Sequence, residues 1–195
     1  MAITLSKGVV LAATFGIFAL TGSAFAQSEA LPLGEPVTPE VGQTYVAEQF
    51  GDWEIRCVRQ EEGVFEPCQM YQLLIDVNGN SVAELTAFAL PDGQEAAAGA
   101  TVITPLETNL ATGVQFFVDD FEPLRYPFEF CNQLGCYARM GWSQGMVDDL
   151  KQGGVATVLI SPFANPNAEV IITASLDGFT AAMGWMEDRL AAVGQ

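Results

Sequence analysis

The chain has 195 residues, half of them hydrophobic and 16% charged, which suits one folded domain with a single core and excludes a disordered polymer. Its formal charge is −17, which argues against partners that are read through clustered Lys and Arg, namely nucleic acid and anionic membrane surfaces. It contains no histidine, which removes the usual general base and the commonest metal ligand together.

The amino terminus reads as an export signal over residues 1–26. Lys7 precedes the apolar run Gly8 to Leu20, and Ala24-Phe25-Ala26 supplies the small-x-small cleavage pattern. The run is shorter than the ~20 residues that span a bilayer, so no membrane span is expected in the mature chain. Loss of Lys7 leaves that chain one unit more acidic, with Arg56, Arg59, Arg125, Arg139, Lys151 and Arg189 scattered along it. Residues 27–48 carry Pro32, Pro36 and Pro39 among acidic residues and read as a flexible leader. The folded domain is expected over 49–195, with order beginning near Phe50.

Trp53, Ile55 and Cys57 alternate on one face of a first strand. Cys68 to Ile75 is a second strand, and Asn78-Gly79 is a hairpin turn into a third, Ser81 to Leu90. Ala96 to Ala100 is too short and too interrupted by glycine for a helix. Thr101 to Thr104 and Val114 to Val118 are further strands, and Asp119-Asp120 turns the chain back. Leu124, Tyr126, Phe128 and Phe130 alternate with polar residues, which predicts a strand with one buried face. Pro127 cannot donate to a ladder, so this strand is at an edge or bulged there. Ser143 as N-cap, with Met146, Val147 and Leu150 at helical spacing, predicts a short helix up to Lys151. Two strands, Val155 to Ile160 and Ala168 to Thr173, precede a terminal helix between Asp177 and Val193. The fold expected is mainly β, an antiparallel sandwich-like single domain with one short helix and a C-terminal helix.

Four cysteines behind an export signal predict disulfides, and three pairings are possible. Cys57–Cys68 with Cys131–Cys136 is favoured, because each pair flanks a segment that reads as strand-loop-strand. If Cys131 faces Cys136, the register sets Phe130 opposite Tyr137, and Asn132, Gln133, Leu134 and Gly135 form the loop. Closure of so short a loop stiffens it, and the apolar Leu134 at its tip marks Asn132, Gln133 and Leu134 as a candidate binding surface.

No serine triad is available without histidine, and oxidised cysteines are not nucleophiles. Carboxylates remain, in the groups Glu61-Glu62, Asp119-Asp120 with Glu122, and Asp148-Asp149. A hydrolase needs two carboxyls across a cleft in different environments, and neighbours on a turn do not supply that. A calcium site at Asp119, Asp120 and Glu122 is chemically possible, although the Asp-x-Asp-x-Asp-Gly loop is missing. The chain is therefore expected not to be an enzyme and to need no cofactor.

Three motifs in order, Phe50-Gly51-Asp52-Trp53 through Cys57, Pro127-Phe128-x-x-Cys131 to Gly135-Cys136, and Ser175-Leu-Asp-Gly-Phe-Thr-Ala181, resemble the invasion associated locus B family of exported bacterial proteins. The resemblance implies a compact β-rich domain outside the cytoplasm, in the periplasm, at the outer-membrane surface or secreted. It implies no reaction. The function expected is binding of a macromolecular partner at the cell envelope or host interface, with a periplasmic small-ligand or calcium-binding module as the alternative.

Overall fold

A computed structural model of the protein describes residues 33–193; the export signal expected at 1–26 and the first residues of the expected leader lie outside them. Eleven strands form one antiparallel sheet: β1 (Thr44–Phe50), β2 (Trp53–Val58), β3 (Cys68–Asp76), β4 (Ser81–Ala89), β5 (Ala98–Thr104), β6 (Val114–Val118), β7 (Leu124–Tyr126), β8 (Phe128–Cys131), β9 (Cys136–Trp142), β10 (Val155–Ile160) and β11 (Val170–Ser175). Helix α1 (Gln144–Gln152) joins β9 to β10, and α2 (Phe179–Val193) ends the chain. The mainly β fold with a short and a terminal helix is the one the strand periodicity predicts.

The sheet runs β7-β6-β10-β11-β3-β4-β5-β9-β8, and its two ends are consecutive in sequence, separated by Pro127 alone. The sheet thus curls until its edges meet, and it is closed there by the covalent chain. Pro127 is where a missing N–H costs least, because each half of the predicted strand has its own partner, β7 on β6 and β8 on β9.

Inside the curl, alternate residues of every long strand are buried, among them Trp53, Ile55, Leu74, Leu85, Val102, Phe116, Trp142 and Ile172. Helix α2 presents Phe179, Ala182, Met183 and Met186 to the same core, one stripe at helical spacing. Trp53 meets Phe179 edge-on at 5.4 Å, and Trp142 stacks on Phe116 at 5.2 Å. Helix α1 is capped by the Ser143 Oγ, which accepts from the Met146 N–H, and it buries Val147 and Leu150.

Three expectations need correction. The leader ends earlier than residue 48: β1 begins at Thr44, and Gly42 and Gln43 already exchange backbone hydrogen bonds with Arg59. Its short alternation has little buried surface behind it, so it left no strong pattern. Residues 98–100 belong to β5, where they pair with β4 and β9. Leu124 and Phe130 are exposed, because the break at Pro127 divides the alternation between two short edge strands.

Candidate functional site

Both disulfides have the favoured pairing, and each joins residues directly opposite in an antiparallel ladder, Cys57 to Cys68 between β2 and β3 and Cys131 to Cys136 between β8 and β9. Phe130 lies opposite Tyr137 with the rings stacked at 4.6 Å, on the outer face of the hairpin. The loop between them is held from within. The Asn132 Oδ1 accepts the Leu134 N–H at 2.8 Å, the Asn132 N–H donates to the Gly135 carbonyl at 2.9 Å, and the Asn132 amide reaches the Tyr137 hydroxyl at 3.3 Å. Gly135 sits so close to β5 that a Cβ there would overlap the Thr104 carbonyl, so the tip rests on the strand end. Leu134 is left 80% exposed, and Asn132 and Gln133 are exposed beside it.

The hairpin is flanked by a hollow on each side, the first mainly apolar and the second mixed, with Glu84 and Thr104 in its lining. On one side a cleft of about 710 Å³ is lined by Leu106, Leu110, Pro162, Phe163 and the Cys131–Cys136 bridge. On the other, Leu134 overhangs a hollow on the outer sheet face with Leu73, Val82, Ile103 and Pro105. The loops carrying Leu106 and Phe163 are zipped to each other, the Phe163 N–H donating to the Glu107 carbonyl at 2.7 Å and the Asn109 N–H to the Ser161 carbonyl at 2.8 Å. These loops have no periodicity and no unusual composition, so only their exposed leucines and phenylalanine hint at a role in the sequence.

The acidic turn is built differently. Asp119 adopts φ +45°, and its carboxylate accepts the backbone N–H groups of Gly154 and Val155, each at 3.1 Å. It ties the β6–β7 turn to the start of β10 and is committed to that task, while Asp120 and Glu122 are exposed. Among the described residues no three acidic, histidine or cysteine side chains stand where they could hold a metal ion.

A second, more polar cleft of about 490 Å³ opens where β3 changes partner, pairing with β2 through Tyr71 and with β11 from Ile75. Buried Gln72 bridges the fork: its amide donates to the Asp52 and Ser175 carbonyls and accepts the Ser175 N–H at 2.7 Å. Arg56 lies 3.2 Å over the Tyr71 ring and pairs with Glu54 at 2.8 Å, so its charge is already used. Burial holds the Tyr71 hydroxyl above its ordinary range, the larger effect, with Glu84 adding to it.

The same fork brings two of the sequence motifs into contact. The Trp53 indole donates to the Ser175 carbonyl at 2.9 Å, and the Asp52 N–H to the Asp177 carbonyl at 3.2 Å. Gly51 and Gly178 both have positive φ, +54° and +84°, and a Cβ on Gly178 would overlap the Phe50 carbonyl. Phe50 to Trp53 and Ser175 to Phe179 are thus one backbone clasp that carries α2 into the core. Their spacing in sequence could not disclose it, since they lie at opposite ends of the domain.

A further polar cluster fastens the Cys57–Cys68 loop. The Tyr45 hydroxyl donates to the Glu66 carboxylate, Arg59 pairs with Glu66 at 2.7 Å, and Arg189 of α2 donates to the Glu66 carbonyl at 2.9 Å. The hydrogen bond from Tyr45 is the main reason the Glu66 carboxyl is held below its ordinary value.

Comparison with solved structures places the fold beside the crystal structure of invasion associated protein b from Bartonella henselae, with a TM-score of 0.58 and 18% identity over 78% of this chain and 99% of that one. No curated protein matches the sequence. The family model described as invasion associated locus B (IalB) protein matches residues 53–187, a span that begins at Trp53 of the clasp, contains both disulfides and ends in α2. The chain belongs to the invasion associated locus B family.

Proposed function

We propose that this is an exported, non-enzymatic protein that works by binding at the cell envelope or host interface, and that its binding surface is the Cys131–Cys136 hairpin with the loops beside it. The observation that carries this reading is Leu134, 80% exposed at the tip of a loop fixed by a disulfide and by Asn132. A loop already ordered loses little entropy on engagement, so its exposed apolar area is available as binding energy. Export is supported by the signal-like amino terminus and by two disulfides, which persist in oxidising compartments. The family is not known for an enzymatic activity, and the chain has no histidine and no free thiol among the described residues.

The small-ligand alternative would use the polar cleft at the β3 fork, but Gln72 and Arg56 there are engaged with protein groups. The calcium version would use Asp119, which holds backbone N–H groups. Cell fractionation tests the reading. Wild-type protein is expected to follow the envelope fraction, and Leu134→Asp to shift it toward the soluble fraction while keeping its circular dichroism spectrum and both disulfides. A folded variant that fractionates like wild type would refute the hairpin as the binding surface.

A further inference from the structure

The antiparallel topology sorts the loops into two ends, and the two ends differ in charge. The loops at the end where α1 and α2 attach, 59–67, 90–97, 119–123 and 176–178, hold nine acidic residues with Arg59 as their one base, while the β1–β2 turn with Asp52 lies at the opposite end of β2 from 59–67, against 176–178. The loops at the other end, 77–80, 105–113, 132–135 and 161–169, hold two acidic residues, Glu107 and Glu169, and no Lys or Arg. Asp76, at the base of the first of these, turns its carboxylate inward to the N–H groups of Asn78 and Asn80. This end is otherwise neutral amide, hydroxyl and hydrocarbon apart from the Arg125 guanidinium of β7, which donates to the Ala111 and Thr112 carbonyls at 2.6 Å each.

Every one of its four loops also puts a large apolar side chain into solvent: Val77 at 77% exposure, Leu106 at 56%, Leu134 at 80% and Phe163 at 75%. Such a concentration of exposed apolar tips on an ordered domain marks an interaction surface. From this geometry we infer that the hairpin end docks on a lipid surface of neutral, zwitterionic headgroups, with Val77, Leu106, Leu134 and Phe163 entering the boundary between headgroups and acyl chains. The inference rests on the binding reading above and names its occupant.

Charge selects this occupant. The acidic end would be repelled by an anionic surface, and the apolar end offers a single cation, Arg125, already engaged with the Ala111 and Thr112 carbonyls, so apolar insertion supplies the attraction. Separate tips on four loops, with hollows between them, suit a fluid interface that closes around each one. The zipped loops and the bridged hairpin hold the tips out without further ordering. The acidic loops at the far end would keep the domain upright on any membrane that also carries anionic lipid.

Flotation of oxidised protein purified from periplasm, with phosphatidylcholine and phosphatidylethanolamine vesicles, tests this. The protein is expected to float with the vesicles equally at low and high salt, and less well once phosphatidylglycerol is added. Leu106→Asp with Phe163→Asp is expected to lower the bound fraction at least about tenfold, since each tip is a full apolar side chain. Val77→Asp, on a turn remote from the core, is expected to lower it without any effect on folding. Protein that stays at the bottom of every gradient, or variants that float like wild type while folded, would overturn the lipid assignment. If vesicle binding fails yet Leu134→Asp still releases the protein from envelopes, the lipid occupant is wrong and the binding surface stands; if both fail, both readings fall.

Discussion

Replacement of Gly178 by alanine tests the clasp that joins the two ends of the domain. The residue has φ +84°, and a methyl group there would overlap the Phe50 carbonyl and come within 2.8 Å of the Gly51 nitrogen. The left-handed backbone alone costs an alanine about 1–2 kcal/mol. The overlap is with backbone, so no rotamer relieves it and the two segments must part. Separation weakens the Asp52 to Asp177 and Trp53 to Ser175 hydrogen bonds, about 1 kcal/mol each, and the edge-on Trp53–Phe179 contact, about 1 kcal/mol more. Gly178→Ala should therefore cost at least ~3 kcal/mol. Gly79→Ala isolates the backbone contribution, because Gly79 has φ +83° with open space around it, and should cost about 1–2 kcal/mol. Urea unfolding of both variants supplies the comparison. Equal losses would refute the clasp as a stabilising contact.

The remaining predictions concern other parts of the same frame. Gly184→Ala, in α2 with open space around it, should stabilise the protein by about 1 kcal/mol in the same assay. Trp142 has a buried indole N–H without a partner whereas Trp53 donates to Ser175, so Trp53→Phe should cost about 1 kcal/mol more than Trp142→Phe. Serine at both Cys131 and Cys136 should cost about 2 kcal/mol by loss of loop constraint, and more if the serine at the buried Cys136 position finds no partner. Hydrogen bonds from Asn80 and then Asn78 hold the Asp76 carboxyl down at about 2. A carboxyl depressed in the folded state stabilises it above the ordinary carboxyl range and loses that effect as pH falls toward 2. Amide exchange at Asn78 and Asn80 should accordingly quicken over that interval, and Asp76→Asn should remove the pH dependence.

Strand positions were legible in the sequence wherever one face is buried, as at Trp53, Ile55 and Cys57 or at Val114, Phe116 and Val118. Both disulfides followed from the strand-loop-strand segments that the cysteines flank, and the Phe130–Tyr137 pair from Cys131 facing Cys136, since a hairpin register is fixed once one cross-strand pair is known. Pro127 announced an interruption, but not that the interruption is the seam of the whole sheet, because closure depends on the partners of β7 and β8 far away in sequence. The alternation misled at Leu124 and Phe130, where an edge strand has solvent on the face that a central strand would bury. Asp119 looked like part of an acidic surface, and its role as an acceptor for Gly154 and Val155 depends on a contact 35 residues away. The hairpin tip was visible in the sequence through Leu134, while the loops around Leu106 and Phe163 were not, because neither periodicity nor charge marks a loop that packs against another loop.

The working surface can be located directly by photo-crosslinking in intact cells, with a photoreactive side chain placed at Leu134 and, as the comparison, at Phe121. Both residues are exposed, and they lie at opposite ends of the sheet. The account predicts adducts with envelope components from position 134 and few from position 121. Adducts from position 121 alone, or equal adducts from both, would contradict it.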